Sequence, residues 1–238
     1  MESVTLVTGS ARGLGLAVAR HLARRGDRVH TVWRTEGARA DALVQEFGER
    51  AHRADLEREE DAHRLVDAIT EREGRLDHLV HAVGAYVSGP LAETSAADLS
   101  RMLSSNAVSA QLLFDAARPA LRNARGSAVF FGCSGLAGFR ARRTTAAYAA
   151  AKSALLVLVR SWALEEAPHG LRVNMVSPGH VPHPDAHPDT LDEDLLAAVP
   201  LGRPGTPEDI ARAVAFLASP DAAYTTGEEL GVTGGWML

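Results

Sequence analysis

Short runs of β-branched and apolar residues alternate along this chain with stretches that have the periodicity of helices. Val4–Val7 is followed by a glycine-containing turn and the helical stretch LAVARHLARR, and the same order returns after Arg28–Trp33. Strands joined by helices pair in parallel and are covered by helices on both faces. We therefore expect an α/β fold, and 238 residues suit one large domain over residues 1–238.

Composition excludes several classes of function. The hydrophobic fraction of 46%, the charged fraction of 23% and the net charge of −5 lack the basic excess that attracts nucleic acid or anionic lipid. The expected partners are small molecules and copies of the chain itself. Cys133 is the one cysteine, so we expect no internal disulfide and a reducing compartment. The chain begins with a strand-like VTLVTGS, and its apolar runs are shorter than a membrane span. A cytoplasmic protein is expected.

The turn after the first strand has the pattern of a dinucleotide site. Gly9 allows a tight turn, Gly13 lets the backbone approach a phosphate, and Gly15 lets helix and strand pack closely. The start of the next helix supplies free N–H groups and a positive dipole end for a pyrophosphate. The pattern alone is weak, but its place at the first strand-to-helix turn favours nucleotide binding. Neighbours assigned to the same site are Ser10, Arg12 and Leu14.

Two arginines bear on which dinucleotide is expected. The second strand ends at Arg34 and Thr35, where a cofactor with a free ribose 2′-hydroxyl would want a carboxylate. Arg34, together with Arg12, predicts a clamp for a 2′-phosphate and so favours NADP(H) over NAD(H). The alternative is two solvated arginines.

A short third strand delivers Asp55 and Leu56 to the same region. The carboxylate of Asp55 is suited to accept a hydrogen bond from the adenine amino group. Its competing role is to cap the following helix, which we expect over Glu57–Glu73.

Lys152 is the only lysine among the 25 basic residues, the others being arginine. It follows Tyr148 by four residues in a stretch of strong helix formers, so the phenol and the ammonium share one helical face. A cation beside a phenol favours the phenolate and lowers the tyrosine pKa from about 10 toward neutral pH. The pair therefore predicts a proton donor to a reacting carbonyl; an ordinary amphipathic helix is the alternative.

Taken together, these motifs resemble the classical short-chain dehydrogenase/reductase family, most closely its 3-oxoacyl-carrier-protein reductase-like branch. The resemblance runs nearly end to end, through the glycine turn, Asp55, Asn106, a serine turn, Tyr148–Lys152, Arg172-Val173-Asn174, Pro178-Gly179 and Thr233-Gly234-Gly235. It implies a doubly wound Rossmann-type parallel sheet of about seven strands between two helix layers. It also implies a homotetramer or homodimer assembled through the Asn106 and Tyr148 helices.

The resemblance also implies a role for each site residue. Tyr148 would donate the proton to the substrate oxygen, while Lys152 would bind the nicotinamide ribose and lower the pKa of Tyr148. Asn106 would hold a water that relays protons to Lys152, and a serine, Ser134, would orient the carbonyl. Further cofactor contacts are expected from Ala82, Val83, Gly84, Pro178, Gly179 and Val181.

The serine position departs from the family pattern. Thirteen residues before Tyr148 the family has serine, but this chain has Gly135, and Ser134 stands one residue early. A slip by one residue turns a side chain to the other side unless a bulge restores it. Ser134 either orients the carbonyl or bonds the backbone of its turn; Thr144 and Thr145 are possible substitutes.

Two further departures concern histidines. His81 replaces the asparagine that ties neighbouring strands together in the family, and we expect it to do so as a buried structural histidine. His183 or a neighbour replaces the threonine that contacts the nicotinamide amide. His180, His183 and His187 lie loosely among prolines without a fixed ligand geometry, so no metal site is expected.

The substrate is left open by the sequence. The segment at about 182–200, rich in Pro, His and Asp, and the segment Tyr86–Pro90 are expected to select it. Arg140, Arg142 and Arg143 suit an anionic substrate or the phosphopantetheine of a carrier protein, or form a solvated basic loop. The leading function is NADPH-dependent reduction of a keto group on a small molecule, either free or linked to a carrier protein or CoA. The alternatives are a pteridine-like C=N reductase and an NADPH-binding sensor or structural subunit.

Overall fold

The computed structural model describes residues 2–136, 138, 140–182 and 197–237. Within them seven strands form one sheet in which every neighbouring pair is parallel. The strands are β1 Val4–Thr8, β2 Arg28–Trp33, β3 Ala51–Arg53, β4 His78–His81, β5 Ser127–Phe131, β6 Arg172–Pro178 and β7 Glu229–Val232. This confirms the predicted parallel sheet and its seven strands.

The helices cover both faces of the sheet. They are α1 Gly13–Arg24, α2 Ala38–Phe47, α3 Glu59–Glu73, α4 Ala96–Leu103, α5 Ser109–Ala124, α6 Ala146–Glu166 and α7 Pro207–Ala218, with 3₁₀ turns at Gly48–Arg50, Leu91–Glu93, Ala167–His169 and Pro220–Ala222. One apolar cluster joins the sheet to α3, α5 and α6, and a second joins it to α1, α2 and α7. The three predicted layers are therefore present.

Successive residues of the central strands belong to opposite layers. Leu79 lies in the cluster under α5 and α6, whereas Val80 lies in the cluster under α1 and α7. Phe130 and Phe131 divide in the same way on β5. Because side chains on a strand alternate between its faces, a strand buried on both sides must be apolar throughout, which is why these runs read as continuous hydrophobic stretches.

The strand order is β3-β2-β1-β4-β5-β6-β7. The chain thus builds outward from β1 in one direction and then, from β4, in the other. The reversal between β1 and β4 opens a crevice at the carboxyl ends of the strands, where doubly wound sheets bind their ligands.

Some predicted boundaries were wrong. The helix expected over Glu57–Glu73 begins at Glu59, because the backbone first turns on Asp55, whose carboxylate accepts from the Glu57 amide at 3.2 Å. The helix expected to run through Asn106 toward Arg118-Pro119 continues past Pro119 and ends at Ala124. It is π-helical over Ser104–Val108, which is the local bulge that a mid-helix asparagine indicates.

His81 ties the strands together as predicted. It is 1% exposed. Its Nδ1 lies 3.0 Å from the Thr8 hydroxyl on β1, and its Nε2 lies 3.4 Å from the Ser109 hydroxyl on α5. Burial, together with the charge of Lys152, lowers the pKa of His81 to about 3. The ring is therefore neutral and structural at physiological pH.

One helix is longer and more apolar than the sequence predicted. In the described part of the chain, the helix Ala146–His169 is long and apolar enough to cross a membrane by length and composition. Leu155, Val159 and Trp162 on this helix belong to the core cluster beneath the sheet. Packing in the core accounts for the apolar composition of this helix.

The single domain over residues 1–238 stays a prediction. Most of the predicted substrate segment at 182–200, including His183 and His187, lies outside the described residues.

Replacing His81 with asparagine should make the fold less sensitive to acid. With a pKa of about 3 when folded and 6.5 when unfolded, His81 binds its proton more readily in the unfolded chain. Stability is therefore lost as the pH falls from 6.5 toward 3. Urea unfolding at pH 7 and pH 4 should show that wild type loses about 3 kcal/mol more than His81→Asn between these pH values. Equal losses would contradict this account of His81.

Candidate functional site

The glycine turn after β1 is packed too tightly for side chains. A Cβ at Gly9, whose φ is +68°, would lie 2.5 Å from the carbonyl oxygen of Ala82 and 3.2 Å from the amide of Val83. A Cβ at Gly15 would lie 2.3 Å from the carbonyl oxygen of Gly9. The turn after β1 therefore lies directly against the turn after β4, at the crevice where the strand order reverses.

The same turn is open where a phosphate would approach. A Cβ at Gly13 would meet no atom within 4 Å, and in the described residues no side chain caps the first turn of α1. Uncapped N–H groups at a helix N-terminus favour an anion. The geometry thus fits the pyrophosphate of a dinucleotide.

Other predicted residues of this region have structural roles instead. Ser10 is fully buried, and its hydroxyl donates to the Val7 carbonyl and accepts from the Val32 amide, both at 2.9 Å. Leu14 packs against the apolar cluster under α1, and Leu56 is buried in the opposite cluster. A cofactor would meet the backbone of these residues rather than their side chains.

Arg34 does lie at the carboxyl end of β2, but it faces carboxylates. Its guanidinium is 3.2 Å from Glu57 and 3.9 Å from Asp55, and its side chain is 63% exposed. Thr35 and Arg12 are also exposed. Asp55 accepts from the Glu57 amide, which is a turn contact rather than the helix cap, since Arg58 occupies the cap position of α3.

Lys152 is almost completely buried. It is 3% exposed, and its ammonium donates a 2.6 Å hydrogen bond to the Phe131 carbonyl at the end of β5. Burial lowers the pKa of Lys152 from 10.5 to about 8. Its nitrogen lies 5.7 Å from the centre of the Tyr148 ring, so the two side chains share one face of α6 as predicted.

The expected lowering of the Tyr148 pKa is not found in the protein alone. Burial raises the pKa of Tyr148, and the neighbouring Cys133 and Tyr86 raise it further. The Tyr86 ring packs edge-on against Tyr148, with 5.0 Å between ring centres. The positive charge of Lys152, whose ammonium donates to the Phe131 carbonyl, does not outweigh these effects, since the pKa of Tyr148 stays raised.

Asn106 is fully buried in the π-helical segment and faces Lys152. Its amide nitrogen donates to the carbonyls of Ala85 and Met102, both at 3.0 Å, while in the described residues its oxygen has no partner. A Cβ at Gly84 would lie 2.0 Å from that oxygen and 3.3 Å from the Lys152 nitrogen. An unpartnered acceptor and a cation therefore both lie beside Gly84, just after the end of β4.

In the described residues, the Ser134 hydroxyl makes no hydrogen bond to Tyr148. It is 5% exposed, and its hydroxyl contacts the Met237 sulfur at 3.8 Å. Arg142 holds the turn by donating to the carbonyls of Ser134 at 2.6 Å and Gly135 at 3.0 Å. Thr144 uses its carbonyl to accept from the Gly89 amide at 2.7 Å.

The end of β6 closes the other side of the crevice. The Gly179 amide donates to the Val232 carbonyl at 2.9 Å, and a Cβ at Gly179 would lie 2.6 Å from the Thr233 Cα. Pro178 ends β6, and Val181 packs against Gly205. The Pro178-Gly179 pair thus permits close approach of β6 and the Thr233-Gly234-Gly235 turn.

Residues 9–237 match the family model described as enoyl-(acyl carrier protein) reductase. The chain belongs to the short-chain dehydrogenase/reductase family. The chain is 37% identical to an L-fucose dehydrogenase of Oryctolagus cuniculus over 98% of this chain and 84% of that protein. It is 35% identical to a 3-oxoacyl-[acyl-carrier-protein] reductase of Bos taurus over 100% of this chain and 99% of that protein.

A solved structure supports the same assignment. A blue fluorescent protein from a metagenomic library, in complex with NADPH, superposes with a TM-score of 0.89 at 32% identity, covering 99% of this chain and 98% of that one. This short-chain dehydrogenase/reductase is accordingly an oxidoreductase of a family that uses nicotinamide cofactors.

Sequence reasoning missed one contact of this reductase-family site. Met237, near the end of the chain, lies against Ser134 and Arg142. No local signal marks it, because the contact joins residues 103 positions apart. In the described residues no group of three or more His, Cys, Asp or Glu side chains could hold a metal ion.

Replacing Lys152 with methionine should change how stability depends on alkaline pH. The unfolded chain binds the Lys152 proton more readily than the folded one between pH 8 and 10.5, so wild-type stability rises with pH across this range. Relative to Lys152→Met, wild type should gain up to about 3 kcal/mol between pH 7 and 10.5 in denaturant unfolding. A difference that does not change with pH would show that burial does not penalise this cation.

Proposed function

We propose that the protein reduces a keto group with NADPH. The observation that carries the proposal is that Lys152 and Asn106 lie beside Gly84, at the crevice where the strand order reverses, with the Lys152 nitrogen 5.7 Å from the centre of the Tyr148 ring. A phenol, an ammonium and an unpartnered amide oxygen at this place suit the delivery of a proton to a carbonyl oxygen.

Each of these side chains has one part in the proposed reaction. When bound, the reduced nicotinamide supplies a hydride to the carbonyl carbon. Tyr148 gives its phenolic proton to the carbonyl oxygen, so that the product is a neutral alcohol. Lys152 stabilises the phenolate that remains, and Asn106 holds the hydroxyl or water through which the proton is replaced from solvent.

The ionisation of the free protein supports this direction of proton transfer. A raised pKa keeps Tyr148 protonated at neutral pH, and a donor must hold its proton before the reaction. Lys152, with a pKa of about 8, is still mainly charged at pH 7. At neutral pH Tyr148 is therefore protonated and Lys152 is charged, as the proposed reduction requires.

NADPH is proposed over NADH because of the charges at the end of β2. Arg34 is exposed and stands where a carboxylate would bind a free 2′-hydroxyl, and Arg12 lies in the neighbouring turn. Glu57, at 3.2 Å from Arg34, would have to yield to a 2′-phosphate. The structural relative that contains NADPH supports the same choice.

The substrate class is proposed from the relatives. A 3-oxoacyl group on a carrier protein is in keeping with the name of one relative, and a small sugar is in keeping with the name of another; a CoA-linked keto substrate is proposed beside them. We also propose a cytoplasmic location, no nucleic acid or membrane partner, and residues 182–200 as the substrate loop. These assignments follow the composition of the chain.

A homotetramer or homodimer is proposed through α5 and α6. Val108, Val157 and Leu164 are large apolar side chains on or beside these helices that are 49%, 58% and 80% exposed. Apolar surface of this kind favours association. Native mass spectrometry of the full chain would measure the assembly.

Reduction of a C=N bond is the second candidate. Position 135 carries no hydroxyl, and the Ser134 hydroxyl contacts Met237, so polarisation of a carbonyl by serine has little support. An iminium needs less polarisation than a ketone. Dihydropterins beside β-ketoacyl thioesters as substrates would separate the two reactions, and NADPH binding without turnover of either would favour a cofactor sensor.

Replacing Tyr148 with phenylalanine should abolish most of the turnover. The change removes the proposed acid but keeps the ring that packs on Tyr86, so NADPH should still bind. The loss in kcat should be about 10²- to 10⁴-fold. Turnover is followed at the nicotinamide absorbance with a panel of β-ketoacyl thioesters, sugars and dihydropterins. Tyr86→Phe, the matched control, should keep far more activity. Unchanged turnover in Tyr148→Phe would refute the proposed acid.

Replacing Arg34 with alanine should change the cofactor preference. Loss of a charge-assisted contact to a phosphate weakens NADPH binding by about 10- to 100-fold and leaves NADH binding nearly unchanged. Arg53→Ala is the control, since Arg53 is equally exposed and pairs with Glu36 at 3.1 Å. Fluorescence titration with both cofactors measures the effect, and equal weakening of both would contradict the clamp.

A further inference from the structure

The side-chain position at residue 135 is taken by an arginine. Gly135 has φ +71°, and a Cβ there would lie 2.8 Å from Nη2 of Arg142. This is the position at which the serine pattern of the family would place a hydroxyl. In this chain a guanidinium occupies that volume instead.

Two hydrogen-bond donors converge on one atom beside this position. The Met237 sulfur lies 3.0 Å from Nη1 of Arg142 and 3.8 Å from the Ser134 hydroxyl. A thioether is a weak acceptor, whereas a guanidinium is a charged donor that pairs best with carboxylates and phosphates. The sulfur is therefore a poor partner that an anionic oxygen would displace.

The other contacts of Arg142 fix its orientation. Nη2 donates to the carbonyls of Ser134 and Gly135, which leaves Nη1 directed at the sulfur. Within the described residues no carboxylate pairs with Arg142, unlike Arg34, which faces Glu57. Among the described residues, the charge of Arg142 is thus held in place without a carboxylate to neutralise it.

This charge lies close to the candidate catalytic groups. Cys133, next to Ser134, is within electrostatic reach of both Arg142 and Lys152, and it also acts on Tyr148. A substrate group bound by Arg142 would accordingly lie at the same end of the crevice as the reacting carbonyl.

We propose that Arg142 and Ser134 bind a carboxylate of the substrate at the point now occupied by the Met237 sulfur, and that the protein is selective for ketones that carry a carboxylate. The inference rests on the proposed reductase function. Met237 covers the two donors in the free protein and moves aside when the anion binds.

A binding experiment tests the inference without any chemistry. Cyclohexanecarboxylate and its neutral isostere cyclohexanecarboxamide are titrated calorimetrically into the full-length protein saturated with NADP⁺. The carboxylate should bind about 10- to 100-fold more tightly than the amide, since a hydrogen bond to a charged group is worth that factor. Turnover of 4-oxocyclohexanecarboxylate against its methyl ester with NADPH should show the same preference in kcat/KM.

Matched variants locate the effect. Arg142→Gln should reduce the ratio of carboxylate to amide affinity to about 1, and Arg142→Lys should restore part of it. Arg143→Gln removes the same charge from an exposed neighbour and should leave the ratio near that of wild type. Met237→Ala removes the competing sulfur and should raise the affinity for the carboxylate.

Several results would overturn the inference. The inference is wrong if wild type binds cyclohexanecarboxylate and cyclohexanecarboxamide equally, or if it does not bind the carboxylate at about 10 mM. If Arg143→Gln lowered the ratio of carboxylate to amide affinity as much as Arg142→Gln, the effect would be a general one of charge. If Arg142→Gln weakened NADP⁺ binding but left this ratio unchanged, Arg142 would only hold the turn. Failure of the reductase proposal is distinct, because it shows as undiminished turnover in Tyr148→Phe.

Discussion

A buried ammonium group organises the candidate site. Lys152 lies at the interior of the fold with its charge on the Phe131 carbonyl, and this contact fixes α6 against the end of β5. The cost of burying the cation is visible in its pKa, which falls to about 8. The hydrogen bond orients Lys152 beside the Tyr148 ring and the Asn106 oxygen, and Asn106 is held by its own hydrogen bonds to the Ala85 and Met102 carbonyls.

The parallel sheet brings the remaining groups to the same edge. Every strand ends there, so the glycine turn, Arg34, Gly84, Ser134 and Gly179 lie along one edge of the sheet although they are spread over most of the chain. Close packing maintains the crevice: Gly9 touches the turn after β4, and Gly179 touches the turn after β7. His81 replaces an asparagine without loss of the tie between β1 and β4, because a neutral imidazole also has two hydrogen-bonding atoms.

What the sequence predicted, and what it missed, follows from the range of the interactions. Strand alternation, the glycine turn and the Tyr148–Lys152 pair are local patterns, and all are found in the fold. The role of Asp55 was open because a helix cap and an adenine contact need the same residue, and the turn contact that the structure shows was not predicted. The contact of Met237 with Ser134 joins distant parts of the chain, and the raised pKa of Tyr148 depends on its burial in the fold and, less, on the neighbouring Cys133 and Tyr86. Neither has a signature in local sequence.

The central proposal is that Tyr148 is a buried proton donor whose pKa is high in the free protein and falls when an oxidised cofactor adds its positive charge beside that of Lys152. The chain contains only three tyrosines, so ¹³C NMR of protein labelled at tyrosine Cζ, assigned with Tyr148→Phe, measures its titration directly. The account predicts that the pKa of Tyr148 lies above about 10 in the free protein, falls when NADP⁺ binds, and falls less in Lys152→Met. A Tyr148 resonance that titrates near 10 with and without NADP⁺, and is unaffected by Lys152→Met, would contradict it.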